Sequence, residues 1–249
     1  MPPLAVEVTG AGPTLVLVHG FTQTRASTAD LASRLGERRC VRVDLPGHGG
    51  SADVSADLDG AAALVVEAAG GEPFDVVGYS LGGRVALHVA ASAPPTLRST
   101  VAISAHPGLA DESARARRLD RDRALAATLD DGDVAGFLDR WLSNPLFATL
   151  RGQRAGLDER LANTAKGLAD SLVRCSLGAQ RPLASELAAA GVPVLMLAGA
   201  RDDGFVAAAC ALAREGHVAA AVVPGAGHVC HLERPDVTAL LIAAFLDAR

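Results

Sequence analysis

Gly78-Tyr79-Ser80-Leu81-Gly82 sets a serine among small residues, after the apolar run Phe74-Asp75-Val76-Val77 and before Arg84-Val85-Ala86-Leu87. This G-x-S-x-G pattern marks a sharp strand-to-helix turn that presents the hydroxyl at a helix N-terminus, where free N–H groups favour negative charge. A serine hydroxyl does little at neutral pH unless a base shares its proton, so a histidine and an orienting carboxylate must follow, in the order serine, acid, histidine. Residues 192–198 form an apolar run ending in Gly199-Ala200-Arg201-Asp202-Asp203, and residues 218–223 form another ending in Gly225-Ala226-Gly227-His228. His228 is the expected base. His231 is its rival, but the Leu232-Glu233-Arg234-Pro235 that follows makes it the expected anchor of a turn. Asp202 is the expected acid because it stands nearer the strand end, with Asp203 as the alternative. His19-Gly20-Phe21 follows the run 15–18 and sets the Phe21 N–H opposite that of Leu81, two donors for an oxygen that gains charge. His19 itself reads as a structural residue beneath that loop.

A second group of residues concerns charge. Arg84 lies one helical turn beyond Ser80 on the same face, where a guanidinium needs a partner: an internal acid or a bound anion. Arg115, Arg117, Arg118, Arg121 and Arg123 alternate with Asp120 and Asp122. Most belong to a solvated face. Positions 115, 118 and 122 share one side, so one or two of these arginines are candidates to face a cleft, with Arg160 joining them. Trp141, the only tryptophan, precedes Pro145 and Phe147 and reads either as core or as a pocket wall.

These residues require a frame that brings strand ends together. Strands are predicted near 4–8, 14–18, 39–43, 74–78, 98–103, 192–198 and 218–223, with helices near 26–35, 57–70, 81–92, 204–214 and 235–247. Short Val/Leu/Ile runs between Ala-rich segments of helical period predict a doubly wound, mostly parallel α/β sheet. From about 106 to 190 the strand signal stops, and short helical patterns are punctuated by Gly132, Pro145, Gly152 and Gly167. We expect a core of residues 1–105 and 191–249, and a helical cap of residues 106–190 over the carboxyl ends of the strands. The chain has 249 residues, 49% hydrophobic and 20% charged, enough for one core with such an insertion. A net charge of −5 argues against generalised binding to nucleic acid or anionic membrane. Cys40, Cys175, Cys210 and Cys230 lack metal-ligand spacing and read as reduced thiols, pointing to a cytoplasmic protein that needs no metal or cofactor. Neither a secretory signal nor a membrane span is expected, and the chain reads as a monomer or weak homo-oligomer.

Leu17-Val18-His19-Gly20-Phe21, Asp44-Leu45-Pro46-Gly47-His48-Gly49-Gly50-Ser51 and Gly78-Tyr79-Ser80-Leu81-Gly82-Gly83-Arg84 are core segments, some of a kind shared by hydrolases at large. More specific are His106-Pro107-Gly108-Leu109, Trp141 followed by Pro145-Leu146-Phe147-Ala148, and Ser176-Leu177-Gly178-Ala179-Gln180. Together they resemble the 2-succinyl-6-hydroxy-2,4-cyclohexadiene-1-carboxylate synthase family of menaquinone biosynthesis. The resemblance implies an α/β-hydrolase fold with its cap inserted after the sixth core strand. It further implies a lyase that eliminates pyruvate from a small polycarboxylate, 2-succinyl-5-enolpyruvyl-6-hydroxy-3-cyclohexene-1-carboxylate. By resemblance Ser80, Asp202 and His228 take the triad positions and Arg84, Arg118 and Arg160 hold substrate carboxylates, while Tyr79 and Trp141 line the pocket. The likeness departs at Gly204, where relatives tend to carry a basic residue, and near Thr28, where many carry a tryptophan.

Two other readings compete. A carboxylesterase or carbon–carbon bond hydrolase would use the same serine through an acyl intermediate, in a pocket without several inward arginines. A non-catalytic receptor would keep the triad only as a binding element.

Overall fold

The computed structural model describes residues 3–129, 131–150 and 157–248; Gly152 lies outside them. Seven strands form one sheet: β1 (Val6–Thr9), β2 (Thr14–Val18), β3 (Arg39–Val43), β4 (Phe74–Tyr79), β5 (Leu97–Ile103), β6 (Val194–Gly199) and β7 (Ala219–Val223). Their order is β1-β3-β2-β4-β5-β6-β7, with β1 antiparallel to β3 and every other pair parallel. The inner strands are apolar on both faces because both faces are covered. In β2, Val16 and Val18 point into one core while Leu15 and Leu17 point into the other. The same alternation puts Val194 and Met196 of β6 on the first side, and Leu195 and Leu197 on the second.

Helices α1 (Ala29–Arg34) and α11 (Pro235–Asp247) cover one face, through Leu31 and Ile242. The other face carries α2 (Leu58–Ala69), α3 (Leu81–Ser92), α8 (Ala184–Ala190) and α9 (Asp203–Arg214). The helix expected from 26 begins as a 3-10 turn, Arg25–Thr28, because the Ser27 and Thr28 hydroxyls bond back to the Thr24 and Arg25 carbonyls and compete with α-helical pairing.

Between β5 and β6 lie α4 (Glu112–Ala127), α5 (Val134–Leu142), the 3-10 segment Pro145–Leu150, α6 (Leu157–Arg160) and α7 (Ala165–Arg174), followed by α8. This stretch follows the fifth strand in chain order, not a sixth. Only one strand precedes β2 among the described residues, so the count is one lower than the resemblance implies. The stretch is seated on the core at Gly47 and Gly167, where a Cβ on either residue would strike the other's carbonyl. Such a backbone-to-backbone approach admits only glycine.

At one border of the sheet, all four residues of β1 are exposed, and Glu7 between Val6 and Val8 is paired with Arg42 and Arg25. No helix of the described residues is long and apolar enough to cross a membrane.

Candidate active site

Because β2, β4, β6 and β7 are parallel, their carboxyl ends deliver four loops to one edge. Ser80 stands between β4 and α3 with φ 51° and ψ −107°, a left-handed φ that a residue with a Cβ adopts only when its surroundings hold it there. The surroundings are glycines: a Cβ on Gly78 would collide with the Gly82 carbonyl, and one on Gly82 with the Val18 and His19 carbonyls. The Ser80 N–H is anchored on the Ile103 carbonyl at 2.8 Å.

His228 Nδ1 lies 2.7 Å from Asp202 Oδ2, and its Nε2 lies 3.2 Å from Ser80 Oγ. A carboxylate only accepts, so Nδ1 carries the proton and Nε2 is left to accept from the serine. Asp202 is 8% exposed and His228 2%, whereas Asp203 is exposed in the first turn of α9. The imidazole is wedged between the rings of Phe205, at 4.7 Å, and Tyr79, at 5.5 Å.

His231 does not anchor the turn as expected. Its ring is buried 4.4 Å from that of Tyr79, and its Nδ1 has no hydrogen-bond partner among the described residues. Glu233 does the anchoring, accepting from the N–H groups of Gly227 at 2.8 Å and Val229 at 3.1 Å, one on each side of His228. A carboxylate can accept from two loop amides at once; a neutral imidazole has one acceptor nitrogen.

His19 accepts from the Leu45 N–H at 3.0 Å and donates to the Gly20 carbonyl at 2.8 Å, tying the Phe21 loop to the loop after β3. Phe21 and Leu81 both border the cavity, and their N–H groups donate no hydrogen bond among the described residues.

That cavity, about 310 Å³, is lined by Phe21, Tyr79, Ser80, Leu81 and His228 from the core and by Trp141 from α5. Arg84, Arg118 and Arg160 line it too, each held differently. Arg84 donates to the Cys175 carbonyl at 2.7 Å and to Gln180 Oε1 at 3.3 Å. Loss of water lowers its pKa to about 10. Arg160 donates to Thr22 Oγ1, and burial lowers its pKa as well. Neither guanidinium has a carboxylate within ion-pair distance among the described residues. Arg118 does: its Nε is 2.9 and 3.0 Å from the two oxygens of buried Asp122, which also accepts from Ser176 at 2.7 Å. Arg117, Arg121 and Arg123 are exposed, and Arg115 caps the Leu109 and Ala110 carbonyls.

Ser176 and Gln180 thus have physical duties. Ser176 holds Asp122, and Gln180 holds Arg84 while donating to the His106 carbonyl at 3.1 Å. Gly178 lets this segment touch the backbone of α4 at Arg115 and Leu119. Gly204 faces open space and does not border the cavity, and Thr28 is turned to its own backbone. Sequence reasoning missed Phe205, Glu233, Asp122 as Arg118's partner, and Asn163. An apolar ring directly after the acid loop was the available signal for Phe205. Among the described residues no three His, Cys, Asp or Glu side chains could hold a metal ion.

Burial keeps three rings near the site neutral: the pKa of His19 falls to about 4, and those of His48 and His231 to about 3. The unfolded chain protonates these rings below about pH 6.5, where the folded chain does not. Stability is therefore full above pH 6.5 and drains away as pH falls through the folded values, by up to about 4 kcal/mol per pH unit for three rings. Urea midpoints measured at about pH 7.5 and about pH 5 should differ clearly. A flat profile across that interval would contradict the neutral assignment.

The α/beta hydrolase family model matches residues 15–239. The 2-succinyl-6-hydroxy-2,4-cyclohexadiene-1-carboxylate synthase of Serratia proteamaculans is 34% identical over 241 residues, covering 94% of this chain and 93% of that protein. The enzyme of the same name from Klebsiella pneumoniae is 35% identical, covering 94% of each. Among solved structures, MenH from S. aureus superposes with a TM-score of 0.89 at 25% identity, over 100% of this chain and 99% of that one. A thermophilic esterase from Thermogutta terrifontis, at 24% identity and a TM-score of 0.81 over 98% of this chain and 93% of its own, shares the fold. With likeness of this extent running from the Ser80 turn through the helical stretch to the His228 loop, the chain belongs to the 2-succinyl-6-hydroxy-2,4-cyclohexadiene-1-carboxylate synthase family, within the α/β-hydrolase superfamily.

Proposed function

We propose that this protein eliminates pyruvate from 2-succinyl-5-enolpyruvyl-6-hydroxy-3-cyclohexene-1-carboxylate in menaquinone biosynthesis, with residues 106–190 acting as the cap over the reaction. The observation that carries the reading is the pairing of a Ser80–His228–Asp202 chain with two guanidiniums, Arg84 and Arg160, that face the cavity without a carboxylate partner among the described residues. Cations so placed call for an anionic ligand, since a buried guanidinium is costly to leave unpaired.

The reaction starts at the ring carbon bearing the succinyl ketone. Ser80, backed by His228, removes that carbon's proton, and the electron pair passes into the ketone as an enolate. The enolate oxygen takes hydrogen bonds from the Phe21 and Leu81 amides, the only stabilisation by fixed donors that the reading requires. As the enolate collapses, ring double bonds form at positions 2 and 4, the bond from C5 to the enolpyruvyl oxygen breaks, and the pyruvate enolate that leaves takes the proton held on the His228 imidazolium to become pyruvate. Asp202 stabilises the imidazolium that exists in between. Arg84, Arg118 and Arg160 bind the carboxylates and fix the ring against Ser80, with Tyr79 and Trp141 as walls. No acyl-enzyme forms.

A coupled assay on enzymatically prepared substrate tests this. Wild-type protein should release one pyruvate per substrate consumed, and should hydrolyse a neutral aryl ester poorly. Rapid ester turnover without pyruvate release would replace this reading by the acyl-transfer one.

A further inference from the structure

The turn that carries the Phe21 amide is held in an unusual way. Gly20, Phe21, Thr22 and Gln23 form a four-residue turn closed by the Gln23 N–H on the Gly20 carbonyl at 3.1 Å, and by the Gly20 N–H on Gln23 Oε1 at 2.9 Å. Its third residue, Thr22, has φ 66°. That position of a turn normally takes glycine, because a β-branched residue with positive φ is strained. Something outside the turn must therefore hold Thr22, and its polar groups show what does. The Thr22 N–H donates to His48 Nε2 at 3.3 Å, Thr22 Oγ1 accepts from Arg160, and the Thr22 carbonyl accepts from Asn163 Nδ2 at 2.8 Å.

Asn163 is buried between α6 and α7, and its carboxamide is fully engaged. Nδ2 also donates to the Arg160 carbonyl at 2.9 Å, and Oδ1 accepts from the Gly49 N–H at 2.9 Å. One side chain thus joins three pieces of backbone: the turn after β2, the loop after β3 and the end of the helix that bears Arg160. Only an amide can donate to two carbonyls while accepting from an N–H.

We propose that Asn163 is a positioning residue for the reaction: by clamping the left-handed Thr22, it sets the aim of the Phe21 amide and the place of Arg160 together. This rests on the reading of Phe21 as an oxyanion donor and Arg160 as a carboxylate ligand. Without the clamp the strained turn relaxes and its peptides rotate. A misdirected donor of that kind costs on the order of 10- to 100-fold in rate.

Two variants and one added substitution test the clamp. Asn163→Ala should lower kcat for pyruvate release by about 10- to 100-fold and raise KM, with an unchanged far-UV spectrum. Adding Thr22→Gly, which takes the left-handed conformation without strain, should restore most of kcat but not KM, because glycine deprives Arg160 of its hydroxyl partner. Trp141, the only tryptophan, has its ring centre 5.0 Å from that of Phe21, so its emission reports the turn with no substrate present. It should shift in Asn163→Ala and return with Thr22→Gly. Should Asn163→Ala fail to fold, the near-isosteric Asn163→Asp, which loses both donors, should show the same emission shift and loss of kcat. Wild-type emission and wild-type kcat in a folded variant would overturn the clamp, as would a Thr22→Gly addition that restores nothing. Absence of pyruvate release from wild type would overturn the functional reading alone, and the Trp141 emission would still decide the clamp.

Discussion

Ser80→Ala is expected to lower kcat for pyruvate release by about 10³- to 10⁴-fold while leaving the fold intact. The side chain has one hydrogen-bond partner among the described residues, His228 Nε2, so its removal orphans nothing else. Alanine carries the same Cβ and faces the same backbone strain as serine, so thermal stability should stay within about 1 kcal/mol of wild type. Asp202→Asn should bring a loss of similar size, because an amide beside Nδ1 no longer enforces the tautomer that leaves Nε2 free to accept. Groups acting as one unit are not additive, so Ser80→Ala combined with Asp202→Asn should be scarcely slower than either alone. Stopped-assay measurements of pyruvate on the three proteins decide the matter. If Ser80→Ala keeps a tenth or more of the wild-type rate, the serine is not the proton acceptor.

The second large effect is expected at Arg84, and it separates binding from folding. Arg84→Met should reduce kcat/KM by about 10²- to 10³-fold, the scale of losing a buried charge-assisted contact to a carboxylate. Stability should be unchanged or slightly raised. The guanidinium has given up water for two neutral acceptors, the Cys175 carbonyl and Gln180 Oε1, and its pKa, lowered to about 10, reports an environment that disfavours its charge. The Cys175 acceptor sits at the cavity wall, where water can take over from the lost donor. Kinetics and thermal melts on the same preparation give the two readouts. A fall of several degrees in Tm with KM unchanged would make Arg84 a strut, not a ligand.

Much of this arrangement could be read from residue order because the relevant signals are local. G-x-S-x-G with its flanking strand and helix occupies about a dozen consecutive residues, and all seven strands lie within two residues of where hydrophobic runs put them. Asp202 and His228 stand in loops directly after strands, so placing the strands nearly places them. Helical spacing puts Arg118 and Asp122 on one side, though it does not show that they pair. What escaped depends on distant partners. Nothing beside Asn163 in the chain hints at Thr22, 141 positions away, and Glu233 reaches Gly227 only because the chain doubles back through α10 (Cys230–Glu233). His231 was misassigned for a related reason: a histidine before a proline turn suggests a polar contact, whereas the fold spends it on ring packing against Tyr79.

The border strand β1 has a bearing on solubility. Its outward row of N–H and C=O groups, flanked by Val6 and Val8 at 44% and 46% exposure, is the kind of template on which a second polypeptide can add itself as an eighth strand. Glu7, pinned between those valines by Arg25 and Arg42, plants a fixed charge in the middle of that row, so an incoming chain must either bury an ion pair or stop short. Among the described residues of this strand, the guard against clumping is therefore the Glu7 carboxylate.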